Sequence, residues 1–296
     1  MENQAAVDAF VDWMRRKREA PATTLDTYRL TVRAWAAFLP TPLAERTSDD
    51  VESFTARPRR GGTAAKPATI AREVATLGSL YRWGQHRLNW SSNPAALAAK
   101  PKVHNRQPRP VQDEVWMQVW TAELPDDARV ALGLGYYCGL RRREITSLRG
   151  GQYWGGVLVN FTRKGGGEDR FDVSDMLAHW QFAVPHLQPL RLSEPLERLA
   201  RQRGDLALMP WGDWASPKGL NRRLGRWLTA VGLQSDAFTP HALRHSFATN
   251  LLATGVPLDL ACDLCNHSSP SITMRYICTG GGRLAALRRP ALAEAR

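Results

Sequence analysis

Between Ser91 and Pro110 the chain reads SSNPAALAAKPKVHNRQPRP, with prolines at 94, 101, 108 and 110. Proline fixes φ and lacks an amide N–H, so neither a continuous helix nor a sheet ladder crosses such a stretch. The chain is therefore expected to fold as two bodies joined by an extended, partly stiff connection. The expected boundaries are a first domain over 1–100, a linker over 101–110 and a second domain over 111–296. The length of 296 residues agrees, because single hydrophobic cores stop growing at roughly 250–300 residues.

Charge narrows the partner. Lys plus Arg total 40 against 28 acidic residues, a net charge of +12 and a pI near 10.1. The first hundred residues carry 15 basic and 10 acidic groups and the rest carry 25 and 18, so both halves are basic. Interspersed positive charge across two domains suits one long polyanionic ligand, with nucleic acid foremost. A hydrophobic share of 43% and a charged share of 23% exclude collagen-like and disordered classes. No apolar run approaches the roughly 18 residues that a membrane span needs. The N-terminus, MENQAAVDAF, lacks a basic-then-apolar export signal, and the four cysteines read as reduced thiols of a cytoplasmic protein.

Periodicity predicts a helical first domain. Val7, Phe10, Val11 and Met14 recur at helical spacing, as do Leu25, Tyr28, Val32 and Trp35. A short third helix follows Thr47, with Ser48, Asp49 and Asp50 in its first turn, and a fourth carries Ile70, Val74, Leu77 and Tyr81. Between the last two lies a basic loop with Arg57, Pro58, Arg59, Arg60, Gly61 and Gly62, followed by Lys66, an expected phosphate contact. In the second domain, helices are predicted over Asp113–Thr121 and Asp127–Tyr137. A hairpin follows, with strands 157–162 and 170–173 around a glycine-rich turn at Lys164, and helical patterns return after Asp175. The predicted class is mainly α with a small antiparallel β-sheet.

Four stretches carry chemistry: CGLRRREI from Cys138, the Lys164 turn, TPHALRHSFATNLLATGV from Thr239 and CNHSSPSITMRYI from Cys265. Each motif alone is weak. Their order, with His267 23 residues after Arg244 and Tyr276 nine residues after His267, is highly specific. Together they resemble the tyrosine recombinase, or phage integrase, family in its simple two-domain Xer-like form. The resemblance implies a SAM-like core-binding domain followed by a catalytic domain. It assigns the catalytic positions to Arg141, Lys164, His241, Arg244, His267 and Tyr276, with Glu144 accompanying Arg141. It also implies site-specific strand exchange on double-stranded DNA by a homotetramer, or a heterotetramer with a paralogue, through a 3′-phosphotyrosyl link, with no cofactor. One departure is Cys265-Asn266 where the family commonly has Leu-Gly; Asn is the substitute best able to adopt positive φ.

The chemistry stands on its own terms. In-line attack on a phosphodiester concentrates negative charge on the non-bridging oxygens, and the planar, permanently charged guanidiniums of Arg141 and Arg244 suit them. Tyr276, with an ordinary pKa of about 10, must lose a proton, and His241 is the expected acceptor. Lys164 on its hairpin turn is the expected acid for the departing 5′-oxygen. His245 and Glu144 read as structural supports. Lys218, Arg222 and Arg223 join Arg59, Arg60 and Lys66 as expected DNA contacts. Cys262 and Cys265 form one CxxC within an apolar helical stretch, which reads as packing, so no metal site is expected. The same chemistry serves a type IB topoisomerase or a telomere resolvase, and a DNA-binding protein without catalysis is the alternative from another class. The tail after three glycines at 280–282 is expected to dock on a neighbouring protomer.

Overall fold

The computed structural model describes residues 3–17, 22–59, 61–103, 107–163, 167–209, 218–233 and 238–277. The chain divides into two compact units, Met1–Asn105 and Arg106–Arg296.

The first unit contains α1 (Asn3–Lys17), α2 (Ala22–Ala36), α3 (Ser48–Ala56), α4 (Pro67–Leu88) and the single-turn α5 (Pro94–Leu97). Local signals set the helix starts. Thr47 and Asp50 cap α3 reciprocally, the Thr47 Oγ1 accepting from the Asp50 N–H and the Asp50 carboxylate from the Thr47 N–H. Pro67 opens α4, where a missing N–H costs nothing, and Asn89 ends it in the left-handed region at φ 52°. Apolar faces of these helices close over Phe10, Trp35, Phe54, Leu77 and Tyr81, all fully buried. The Trp35 indole N–H donates to the Tyr81 hydroxyl at 3.1 Å, which donates in turn to the Leu43 carbonyl at 2.9 Å. Buried Arg46 donates to the carbonyls of Ala36, Leu39 and Thr41, so the end of α2 is capped by a charge that amphipathic patterning does not announce.

The proline density of Ser91–Pro110 reads as an irregular connection, although residues up to 100 are expected to belong to the first domain. The structure corrects its first part: α5 folds back, Ala95 and Ala98 are buried in the first core, and the Ala99 N–H donates to Glu52. Proline at the first helical position followed by two alanines and a leucine starts a helical turn, and proline density alone hid it.

The second unit contains α6 (Asp113–Thr121), α7 (Asp126–Tyr137), α8 (Arg142–Ser147), β1 (Tyr153–Trp154), β2 (Val157–Thr162), β3 (Glu168–Asp172), α9 (Val173–Ala183), α10 (Ser193–Arg203), α11 (Lys218–Ala230), α12 (Pro240–Ala253), α13 (Leu258–Leu264) and α14 (Pro270–Ile277). The sheet is antiparallel in the order β1-β2-β3, with an irregularity in β2 between Leu158 and Phe161. The sheet differs from the expected hairpin in one added strand and in both ends of β3, which starts at Glu168 and stops at Asp172. β1 was not anticipated, because two residues carry no alternation. Val173 begins α9 instead of ending β3, because the Asp172 side chain accepts the Asp175 N–H at 2.9 Å and caps the helix.

The core of this unit is aromatic. Trp116 stacks on Tyr136 with ring centroids 3.9 Å apart, and its N–H donates to the Tyr137 hydroxyl at 2.9 Å. The Trp180 indole donates to the Tyr137 carbonyl at 2.8 Å, so these large rings bury without orphaned polar atoms. α12 packs along α7, and Val111, the first residue of the expected second domain, donates its N–H to Ser246 on α12. No helix among the described residues is long and apolar enough to cross a membrane.

Candidate active site

The site is organised around the end of α13. The last carbonyls of a helix lack partners within it and carry the negative end of its dipole. Here three consecutive carbonyls accept from three arginines of three other segments. The Leu264 carbonyl accepts from Arg163 at the end of β2 (3.3 Å), that of Cys265 from Arg244 on α12, and that of Asn266 from Arg141 ahead of α8 (2.6 Å). The turn closes with Asn266 at φ 44°, the left-handed conformation expected of an Asn in the Leu-Gly position.

Each arginine has a second anchor. Arg141 Nη1 pairs with the Glu144 carboxylate at 2.9 Å, and the same carboxylate accepts the Arg141 N–H at 2.7 Å, so buried Glu144 both caps α8 and orients the guanidinium. Arg244, 4% exposed, also donates to the Gly139 carbonyl. Burial, together with Arg141 nearby, pushes its pKa down to about 10, which leaves it cationic at neutral pH. These contacts use two of the five N–H groups on each of Arg141 and Arg244, so each retains donors for an anion.

α12 carries the imidazoles. Thr239 caps it by accepting the Ala242 N–H at 3.0 Å, and Pro240 takes the first helical position. His241, Arg244 and His245 then fall at i, i+3 and i+4, on one face. His241 is the most exposed of the three imidazoles of the site, with its ring centroid 4.1 Å from that of His245. α14 supplies Tyr276, 6% exposed, whose hydroxyl lies 2.9 Å from His245 Nδ1. The His267 ring lies nearly parallel to that of Tyr276, with centroids 5.9 Å apart, and its Nδ1 is 2.8 Å from the fully buried Thr273 hydroxyl.

Electrostatics follow from this crowding. Burial, then Arg244 and Arg141, lowers the pKa of His241. Burial leads again at the other two imidazoles, each lowered to about 4, with His241 and Arg244 adding to the effect at His245 and the two arginines at His267. All three imidazoles are thus biased to the neutral form at pH 7, able to accept a proton or donate one N–H. Burial raises the Tyr276 phenol, and Arg244 is the leading opposing influence.

Comparison with known proteins shows the family of the chain. Residues 211–279 match the phage integrase family, and residues 7–87 match the phage integrase N-terminal SAM-like domain. The tyrosine recombinase XerC of Rhodospirillum centenum is 31% identical over 321 residues, covering 98% of this chain and 87% of the relative. The chain belongs to the phage integrase family of tyrosine recombinases. XerD of Proteus mirabilis is 26% identical over 97% of this chain and 93% of its own. The fold is shared with solved structures: a lambda integrase dimer bound to a COC′ core site (TM-score 0.65, 18% identity, 92% of this chain and 94% of that one) and the Tn1549 transposon integrase in complex with circular intermediate DNA (0.66, 15%, 96% and 99%).

Of the six expected catalytic positions in this recombinase, Arg141, His241, Arg244, His267 and Tyr276 lie within the cluster just described; Lys164 lies outside the described residues. Arg163, next to it in sequence, is buried, pairs with Asp169 at 2.8 Å, sits 5.3 Å over the Phe161 and Phe171 rings and donates to the Leu264 carbonyl of α13. In sequence, Arg163 reads as part of the turn between the expected strands 157–162 and 170–173. The available signal was an acid, Asp169, across the hairpin from it.

The expected DNA contacts divide. Lys66, at the start of α4, and Arg222, on α11, are exposed, and Arg223 is half-buried. Arg60 and the Lys218 side chain lie outside the described residues. Arg59 is half-buried: its guanidinium pairs with buried Glu73 at 2.8 and 3.0 Å, and Arg57 shares that carboxylate at 3.1 Å. A buried carboxylate requires compensating charge, and the two arginines of the basic loop supply it. Cys262 and Cys265 are buried free thiols, and among the described residues no group of three or more His, Cys, Asp or Glu is arranged to hold a metal ion. The expected tail, residues 278–296, lies outside the described residues.

Proposed function

We propose that the protein is a site-specific DNA recombinase in which Tyr276 attacks a phosphodiester and carries the strand as a 3′-phosphotyrosyl ester until a new 5′-hydroxyl displaces it. Arg141 and Arg244 neutralise the non-bridging oxygens, which bear the most charge in the transition state. His267, steadied by Thr273, adds a hydrogen bond to the same phosphate. Lys164 protonates the departing 5′-oxygen. Because the ester stores the broken bond, exchange needs no ATP. Lys66, Arg222 and Arg223, with Arg60 and Lys218, hold the backbone of the duplex as its counterions are released. The assembly is a tetramer on two DNA sites, acting in the cytoplasm on nucleoid DNA; a lambda integrase tetramer on a Holliday junction, 17% identical with a TM-score of 0.65, shares the fold.

The observation that carries this reading is the gathering of two guanidiniums and two imidazoles beside a buried tyrosine hydroxyl, in a chain alike over nearly its whole length to tyrosine recombinases. The test is covalent capture. Nicked duplexes of random sequence are incubated with the protein, and those trapped as protein–DNA adducts are recovered. Wild type is expected to form the adduct and Tyr276→Phe to bind the recovered duplex without forming it. An adduct that persists in Tyr276→Phe, or none with wild type, would overturn the proposal.

A further inference from the structure

Helical spacing and the family resemblance together direct attention to His241 as the proton acceptor. The bond to the phenol, however, is made one turn further along α12. His245 Nδ1 lies 2.9 Å from the Tyr276 hydroxyl, and the two ring centroids are 5.3 Å apart. The ring is half-buried and packed against His241, which limits the rotations that would break the bond. We infer that His245 is a further catalytic residue, the base that takes the phenolic proton from Tyr276. This inference rests on Tyr276 being the nucleophile.

The surroundings keep the ring in its neutral form, with a lone pair free to accept a proton. A base must be neutral before it acts, and the groups facing His245 ensure that it is. On its own helix these are His241 and Arg244, and His267 faces it from the turn after α13. Burial, His241 and Arg244 hold its pKa near 4. With the ring proton on Nε2, Nδ1 presents a lone pair to the phenol, which donates. In the step, the Tyr276 O–H bond breaks and its proton passes to Nδ1. The phenolic oxygen bonds to phosphorus as the P–O5′ bond breaks, and the departing oxygen takes a proton from the general acid. Religation runs the same transfers backwards: the incoming 5′-hydroxyl loses its proton, and Tyr276 leaves as a phenol with a proton returned through His245 Nδ1. Atoms and charge balance in both directions with no additional reactant.

The role separates experimentally from that of a resting partner or an acid. The full chain is used with the nicked duplex recovered by covalent capture, under single-turnover conditions at fixed salt. His245→Ala is expected to bind that duplex within about twofold of wild type and to cleave it about 100-fold more slowly, the lower range for loss of a general base. His245→Gln keeps a hydrogen-bond acceptor but cannot take the proton, and is expected to be as slow. Added imidazole is expected to restore at least about tenfold in the alanine variant, part of the roughly 100-fold that loss of a general base costs. A 5′-bridging sulfur, which leaves without protonation, is expected to rescue Lys164→Ala but not His245→Ala. Wild-type or faster cleavage by His245→Ala, restoration by glutamine, failure of imidazole, or rescue by sulfur would each overturn the inference. Tyr276→Phe is run alongside. If it still forms the adduct, the nucleophile itself is wrong, whereas an inert Tyr276→Phe with unimpaired His245→Ala sinks only the base.

Discussion

Gly139 joins α7 to the Arg141 segment at φ +62°, and its carbonyl accepts from Arg244. A Cβ added there would lie 2.2 Å from Phe247 Cδ1 and 2.6 Å from Cε1. That ring is fully buried on α12, edge-on to Trp180 with centroids 6.0 Å apart, so it has nowhere to retreat. Gly139→Ala therefore combines two costs. The left-handed conformation costs a residue with Cβ about 1–2 kcal/mol, and overpacking a core adds about 1–3 kcal/mol. The sum, about 2–5 kcal/mol, corresponds to a fall in Tm of roughly 4–20 °C for a domain of this size. Cleavage should fall further than stability predicts, because the carbonyl that holds Arg244 moves with the strained peptide. A double-mutant cycle in urea unfolding isolates the clash. Phe247→Ala alone should cost about 3–5 kcal/mol. In the double variant the overpacking is gone but the φ strain persists, so its loss should be smaller than the sum by about 1–3 kcal/mol. Costs that add to within about 0.5 kcal/mol would refute the steric account.

Stability should fall in acid through a defined window. The folded pKa values of His245 and His267 lie near 4, below the ordinary 6.5, so the unfolded chain binds more protons between those values. The contribution of these histidines is complete above about pH 6.5 and lost as pH falls towards 4, and His245→Gln with His267→Gln should flatten that slope in urea titrations. Cleavage should persist in EDTA, since guanidiniums supply the positive charge, and binding should weaken steeply with salt through counterion release. Loss of cleavage on chelation, restored by Mg²⁺ or Zn²⁺, would overturn that mechanism. Truncation after Thr279 should leave single-site binding near normal in gel shifts yet reduce synapsis and strand exchange; recombination at the wild-type rate would show that the tail does not link protomers.

The helical architecture was legible because each helix declares itself locally. Thr47 with Asp50, Pro67, and Thr239 with Pro240 are start signals readable within four residues, and the apolar stripes through Phe10, Trp35, Leu77 and Tyr81 identify the faces that bury. What escaped depends on partners far along the chain. Arg46, Arg59 and Arg163 look like ordinary surface charges until the carbonyls at the end of α2, the Glu73 carboxylate and the Asp169 carboxylate come to meet them. α5 was masked by proline density, and the Asp172 cap by a strand pattern running one residue too far. In the candidate site, the order of motifs pointed to Arg141, His241, Arg244, His267 and Tyr276, but spacing cannot say which imidazole of α12 meets the phenol. His241 and His245 share a face, and only the packing of α14 on α12 distinguishes them.

The placement of α13 explains why a seven-residue helix matters to this chemistry. Arg141, Arg163 and Arg244 belong to segments far apart in sequence, and like charges brought together repel unless something negative lies between them. A carboxylate in that place would compete with phosphate for the same guanidiniums. Backbone carbonyls at a helix end are milder: they accept one N–H each, carry only partial charge, and leave the remaining donors of Arg141 and Arg244 available. The left-handed turn at Asn266 aims consecutive carbonyls at different arginines, and His267 follows directly, so the residue that positions the cations also sets where the next imidazole falls. Cys265-Asn266 can therefore stand where the family commonly has Leu-Gly. What these positions contribute to the arginines is main chain, and asparagine is the side chain that tolerates the required φ at least cost after glycine.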